Sequence, residues 1–202
     1  MQDLITSHLS KDLILKNLVE KIPYRELSLN SQGVYQDLLS SIISQQLSTK
    51  VAAVIKGRFL ALFPENRPHP ELLLAKDLET LRGVGLSKQK AAYLQNVAEF
   101  FQRENLLEKD WSTTENEEVI RYLTQIKGVG KWTVEMILMF SLGRPDVLPL
   151  DDLGIRLAIA DLYKIPETGK MMHQRMTQIA EAWQPYRSYA CLYLWRYKDG
   201  VK

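Results

Sequence analysis

The sequence has a single cysteine, Cys191, among 202 residues. No disulfide can form within the chain, and there is no cysteine cluster to hold a structural zinc or an iron–sulfur centre. The three histidines, His8, His69 and His173, are scattered without ligand spacing, which argues against a metal enzyme built on imidazoles. No apolar run reaches the roughly 20 residues of a membrane span, and the start, Met1-Gln2-Asp3-Leu4-Ile5, lacks the basic and then apolar pattern of a signal peptide. Strong charge of one sign is missing as well. The 26 Lys and Arg against 24 Asp and Glu leave a net +2, with a pI near 8.5. Charge alone therefore does not point to a polyanion, so a nucleic-acid partner has to be argued from a site. The expectation is a soluble, cofactor-free protein of the cytoplasm, or of the nucleus in a eukaryote.

What the chain does have is 46% apolar content, enough for a sizeable core in one domain or two small lobes sharing a cleft. Apolar residues recur at helical spacing almost throughout, and alternating strand patterns are hard to find. The fold predicted is all-α. Helices are expected over Ser10 to Ile22, Val34 to Gln46, Ser48 to Phe63 and Ser87 to Glu104, with Ser48 and Ser87 as N-caps. Pro64, Pro68 and Pro70 interrupt the next stretch. Thr114 and Glu117 have capping-box spacing for a helix ending near Ile126. Further helices start near Gly130, Asp152, Met171 and Pro185, the last suited to a first helical position.

One internal echo stands out: Leu81-Arg-Gly-Val-Gly-Leu86 against Ile126-Lys-Gly-Val-Gly-Lys131. Taken alone, each reads as a helical hairpin whose glycines make the turn. In the second copy, Ile126 and Val129 can anchor the turn, while Gly128 and Gly130 let the backbone approach a ligand. The helix that follows directs unpaired N–H groups and its positive dipole end outward, which suits a DNA phosphate. Lys127, Val129, Lys131 and Thr133 complete the candidate DNA-binding set. Contacts of this kind position a protein on DNA without reading sequence. The first copy, around Gly83 and Gly85 with Lys88 and Lys90 nearby, reads as mainly structural.

After the second hairpin comes Pro145-Asp-Val-Leu-Pro-Leu-Asp-Asp-Leu-Gly-Ile-Arg156, with two carboxylates at a helix start. An Asp there is an ordinary N-cap, and the cap preference and the dipole explain it fully. The same environment keeps a carboxylate ionised, as is needed to stabilise an oxocarbenium-like sugar when a base leaves it.

Hairpin, then a loop ending in Asp at a helix start, is the arrangement of the helix-hairpin-helix DNA glycosylases, and this sequence resembles their 3-methyladenine DNA glycosylase II branch. The match is carried by Ile42-Ile-Ser-Gln-Gln-Leu-Ser48, by Ile126 to Ile137 with Val147 to Arg156, and by Trp183-Gln-Pro-Tyr-Arg-Ser-Tyr-Ala-Cys-Leu-Tyr-Leu-Trp195. It spans about Val34 to Trp195. The resemblance implies two helical lobes flanking a cleft, roughly 34–125 and 1–33 plus 126–202, with no N-terminal sheet domain. It also implies a monofunctional N-glycosylase that flips alkylated purines out of duplex DNA, acting as a monomer without an obligate protein partner. Asp152, three residues before Ile155, takes the catalytic position, with Asp151 a cap or loop hydrogen-bonder. Trp132 stands where strand-cleaving relatives carry a lysine. Trp132 and Tyr186 match aromatic base-pocket positions, and Gln46, with Leu47 beside it, matches the wedge that fills the gap left by the flipped base. A monovalent cation held by the backbone carbonyls of Thr124, Ile126 and Val129 belongs to the same expectation; no protein-ligated transition metal does.

Two other readings stay open at this level. Hairpins of this kind also serve proteins that only hold DNA, in which case Asp152 is a cap and Trp132 a core residue. An enzyme of the same chemistry can also act on a different damaged or mismatched base.

Overall fold

A computed structural model describes residues 1–27 and 32–200. Among the described residues the chain is helical and holds no strand. It divides into two compact units, Met1–Leu29 with Leu138–Lys202, and Asn30–Ile137.

In the second unit α3 (Val34–Ser44), α4 (Thr49–Leu60), α5 (Pro70–Leu74), α6 (Leu78–Gly83), α7 (Lys88–Arg103) and α8 (Asn116–Leu123) follow one another. The long helix α7 organises them. Its Ala91, Leu94, Val97, Ala98 and Phe101 are buried, on the stripe that a 3.6-residue period lines up, and α3, α5 and α6 pack on it. The Tyr35 ring of α3 lies 5.2 Å from that of Phe101, and its hydroxyl donates to the Pro68 carbonyl at 2.8 Å. Ser48 and Ser87 cap α4 and α7 as expected, accepting from the N–H of Val51 and of Lys90.

The first unit holds α1 (Gln2–Leu9), α2 (Leu13–Lys21), α10 (Leu153–Leu162), α11 (Gly169–Glu181) and α12 (Arg187–Lys198). Helix α9 (Lys131–Phe140) contains the division, which falls after Ile137. Asp12 is the polar hub of the first unit. Its Oδ1 caps α2 by accepting from Ile14 and Leu15 N–H. Its Oδ2 accepts from the Tyr163 hydroxyl at 2.6 Å and the Trp183 indole N–H at 3.0 Å.

Several boundaries differ from the sequence expectation: the helices expected to reach Gln46, Phe63 and Ile126 end at Ser44, Leu60 and Leu123, and the one expected from Met171 starts at Gly169. The helix expected from Ser10 starts at Leu13, because Asp12 takes the cap, and a separate helix, α1, precedes it. Helix α8 starts at Asn116 with Glu115 in the cap position, one residue later than a Thr114 cap requires. Pro185 is not a first helical residue: the Gln184–Pro185 peptide is cis, and α12 begins at Arg187 after Tyr186.

Candidate active site

In the second unit, the hairpin between α8 and α9 is a tight turn closed by a Val129 N–H bond to the Ile126 carbonyl at 3.0 Å. Both anchors are buried, Ile126 and Val129 alike. The two glycines do different jobs. Gly128 has φ +105, and a Cβ placed on it would run into the Tyr93 ring of α7. The space where a Gly128 side chain would stand is thus taken by the protein's own tyrosine. Gly130 has nothing within 4 Å of where a Cβ would stand, so the space beside its backbone is open. A second α7 residue, Asn96, donates its side-chain N–H to the Lys127 carbonyl at 3.0 Å, so the turn is held at two points on one helix. The first turn of α9 then begins at Lys131, where the leading N–H groups lack acceptors in their own helix. Thr133, a member of the candidate DNA-binding set, is buried, with only 3% of the whole residue exposed. Lys131 Nζ lies 3.5 Å from Glu135 Oε1, while the lysine itself stays largely exposed.

The echo hairpin at Gly83 to Gly85 has a packing role. Gly85 has φ +104, and a Cβ there would crowd Ile55 at 3.3 Å. Lys90, just beyond it, donates to the carbonyls of Ile43 and Gln45 at the end of α3 and so is not turned to an outside phosphate.

Gln46 and Trp132, far apart in sequence, line one cavity of the second unit. Its volume is about 540 Å³, and Ser40, Ser41, Ser44 and Gln45 complete the lining. Trp132 is 40% exposed, so it is not the core residue that its helical position alone would suggest. The serines were not singled out by sequence reasoning. They recur on one face of α3, and the hydroxyls of Ser40 and Ser44 fold back on the carbonyls of Gln36 and Ser40. Gln46 has φ +58 and is exposed, as is Leu47 beside it.

In the first unit Asp152 caps α10. Its Oδ1 accepts from Ile155 N–H at 2.9 Å and from the Trp195 indole N–H of α12, also at 2.9 Å. Gly154 makes room for that second bond: a Cβ there would stand 3.1 Å from Asp152 Oδ1 and 3.2 Å from Trp195 Cδ1. Phe140 backs the indole, with ring centroids 6.0 Å apart. The loop that delivers Asp152 is pinned to the start of α12. Arg187 grips both carboxylate oxygens of Asp146 at 2.6 and 2.9 Å. Ser188 Oγ accepts from Val147 N–H and donates to the Arg144 carbonyl. Asp151, by contrast, is exposed. Tyr186 joins an aromatic group in the same unit, 5.4 Å from His8 and 6.4 Å from Tyr189. The sequence assigns Trp195 no role of its own; it ends the Trp183 to Trp195 segment, and its partner Asp152 lies 43 residues away.

Among the described residues no helix is long and apolar enough to cross a membrane.

The family model described as HhH-GPD superfamily base excision DNA repair protein matches residues 39–185. The chain is 37% identical over 171 residues to DNA-3-methyladenine glycosylase 1 of Schizosaccharomyces pombe, covering 84% of this chain and 74% of that one. It is 34% identical to a putative DNA-3-methyladenine glycosylase of Bacillus subtilis, covering 81% of this chain and 58% of that relative. Among solved structures, the S. pombe 3-methyladenine DNA glycosylase in complex with abasic DNA superposes with a TM-score of 0.82 at 35% identity, covering 96% of each chain.

Proposed function

The chain belongs to the HhH-GPD superfamily of base excision DNA repair proteins, and from that premise we propose that it is a DNA glycosylase. It hydrolyses the N-glycosidic bond of alkylated purines of the 3-methyladenine type in duplex DNA and leaves an abasic site. The similarity to named 3-methyladenine glycosylases supports the substrate class.

The observation that carries the catalytic assignment is the double grip on Asp152 Oδ1. A cap needs only the Ile155 N–H. The added indole donor, brought from another helix, fixes the carboxylate's direction as well as its place. When the glycosidic bond breaks, its electron pair leaves with the base nitrogen, and a base already carrying positive charge departs neutral. C1′ becomes cationic, and the oriented anion of Asp152 lowers that barrier. Water then adds to C1′ and releases one proton.

The hairpin's Lys127 to Lys131 and the first turn of α9 hold a phosphate through main-chain N–H groups, with Gly130 as the open position. Gln46 is the wedge, with Leu47 beside it, and Trp132 and Tyr186 supply aromatic surface for the extruded base, whose positive charge favours stacking on electron-rich rings. The carbonyls of Thr124, Ile126 and Val129 are hard oxygen donors, and the Ile126 oxygen keeps a lone pair beyond its bond to Val129 N–H. They would hold a monovalent cation that adds positive charge beside the phosphate. The enzyme works as a monomer wherever the DNA is kept, cytoplasm or nucleus. The deciding experiment is chromatographic detection of free methylated base released from dimethyl-sulfate-treated duplex; absence of release by the folded protein overturns the reading.

A further inference from the structure

Lys90 reaches across the second unit to the end of α3. From the first turn of α7 its Nζ donates to the Ile43 carbonyl at 2.8 Å and to the Gln45 carbonyl at 2.6 Å, residues 47 and 45 positions earlier in the chain. These belong to the last turn of a helix, where carbonyls lack intrahelical donors and carry the negative end of the dipole. An ammonium on a flexible stem, with three donors, suits two such oxygens at once.

The next residue is Gln46. Its φ of +58 lies in the left-handed region, which costs a residue with a Cβ on the order of 1 kcal/mol. Such a conformation persists only where its surroundings over-determine it, and these places cluster at functional sites. Here the surroundings are few and nameable. Gln45 N–H bonds the Ser41 carbonyl and Leu47 N–H the Ser44 carbonyl, Ser48 opens α4, and Lys90 clamps the carbonyl of Gln45 itself. Burial pulls the Lys90 ammonium below the usual lysine range, the mark of a charge taken partly out of water to do this.

We propose that Lys90 is a positioning residue for base extrusion: by clamping the last carbonyls of α3 it holds Gln46 in the strained turn from which the side chain enters the duplex. The inference rests on the reading of Gln46 as the wedge. Loss of the clamp lets the turn relax, so the wedge arrives late or misplaced while the chemistry at Asp152 is untouched. A wedge matters most where a base pair has to be opened and least where the lesion is already unpaired.

The test uses a dimethyl-sulfate-treated oligonucleotide with one target adenine, annealed to its full complement or to a complement with an abasic site opposite the target. Single-turnover release of methylated base is measured on both. For Lys90→Met the paired-to-unpaired rate ratio falls about tenfold, the scale of a lost charge-assisted bond. Gln46→Ala lowers the same ratio, the double variant is no worse than Gln46→Ala alone because both act through one residue, and Lys90→Arg recovers part of the loss. The unpaired rate reports the folded fraction, so instability of Lys90→Met moves both rates together and leaves the ratio alone. An unchanged ratio in Lys90→Met beside a lowered ratio in Gln46→Ala overturns the role of Lys90 and keeps the wedge. An unchanged ratio in Gln46→Ala overturns the wedge reading and this inference with it.

Discussion

Gly128 lies against the ring of Tyr93 so closely that the ring occupies the space a side chain would need. This contact separates the two hairpin glycines by function. Gly128→Ala has to displace the ring and also adopt φ +105. Overpacking costs about 1–3 kcal/mol, to which the strained backbone adds on the order of 1 kcal/mol. The expected outcome is a clear drop in melting temperature, partly relieved by Tyr93→Ala in the same chain. Gly130→Ala, with open space around it, should melt like the parent and instead weaken binding to damaged and undamaged duplex alike, because phosphate contacts carry no sequence information. Thermal melts and fluorescence anisotropy read the two effects. A binding defect confined to lesion DNA would argue against the phosphate role of the hairpin.

Asp152→Asn keeps a cap-competent side chain and removes one charge. Base release should fall by at least about 100-fold, the scale of losing one preorganised electrostatic group at a reacting centre, while fold and DNA affinity are retained. Asp151→Asn should lose far less, since Asp151 is exposed. Rates of methylated-base release compare the two, and equal losses would sink the assignment of Asp152.

Trp195→Phe retains a ring beside Phe140 and deletes the N–H that orients Asp152. A hydrogen bond to a charged group is worth about 1.5–3 kcal/mol, so kcat should drop roughly tenfold or more with little change in KM. Gly154→Ala should share this phenotype in milder form, because its Cβ would crowd both the indole and the carboxylate. A change in KM alone for both variants would show that Trp195 serves binding instead.

Borohydride added during turnover should trap no protein–DNA adduct, and the strand should stay whole until alkali is added. Trp132 offers no amine, and the Lys131 ammonium is engaged with Glu135 on its own helix. A trapped adduct that disappears in Lys131→Ala, together with nicking that needs no alkali, would overturn the monofunctional reading.

Asp12→Ala removes a helix cap and leaves the N–H of buried Trp183 and the hydroxyl of Tyr163 without their acceptor. A cap is worth about 1 kcal/mol and each stranded donor about 1–3 kcal/mol. For a chain of this size the melting temperature should fall by roughly 6 °C or more, and a fall of only a degree or two would show that neither donor depends on Asp12.

By itself the sequence determined the helical class, the caps at Ser48, Ser87 and Asp152 and the two glycine turns, because a cap or a turn closes within three or four residues and its partners are neighbours in the chain. Family resemblance pointed to Asp152, Trp132 and Gln46 as residues, without their surroundings. Only the tertiary structure decided that Trp195 orients Asp152, that Tyr93 fills the place beside Gly128, that Gln46 and Trp132 line one cavity, and that Lys90 is spent on the end of α3. Each of these joins groups carried by different helices, and which side chains meet across a helix pair depends on rotation and spacing set by the packing of whole apolar faces, which no local pattern of residues encodes.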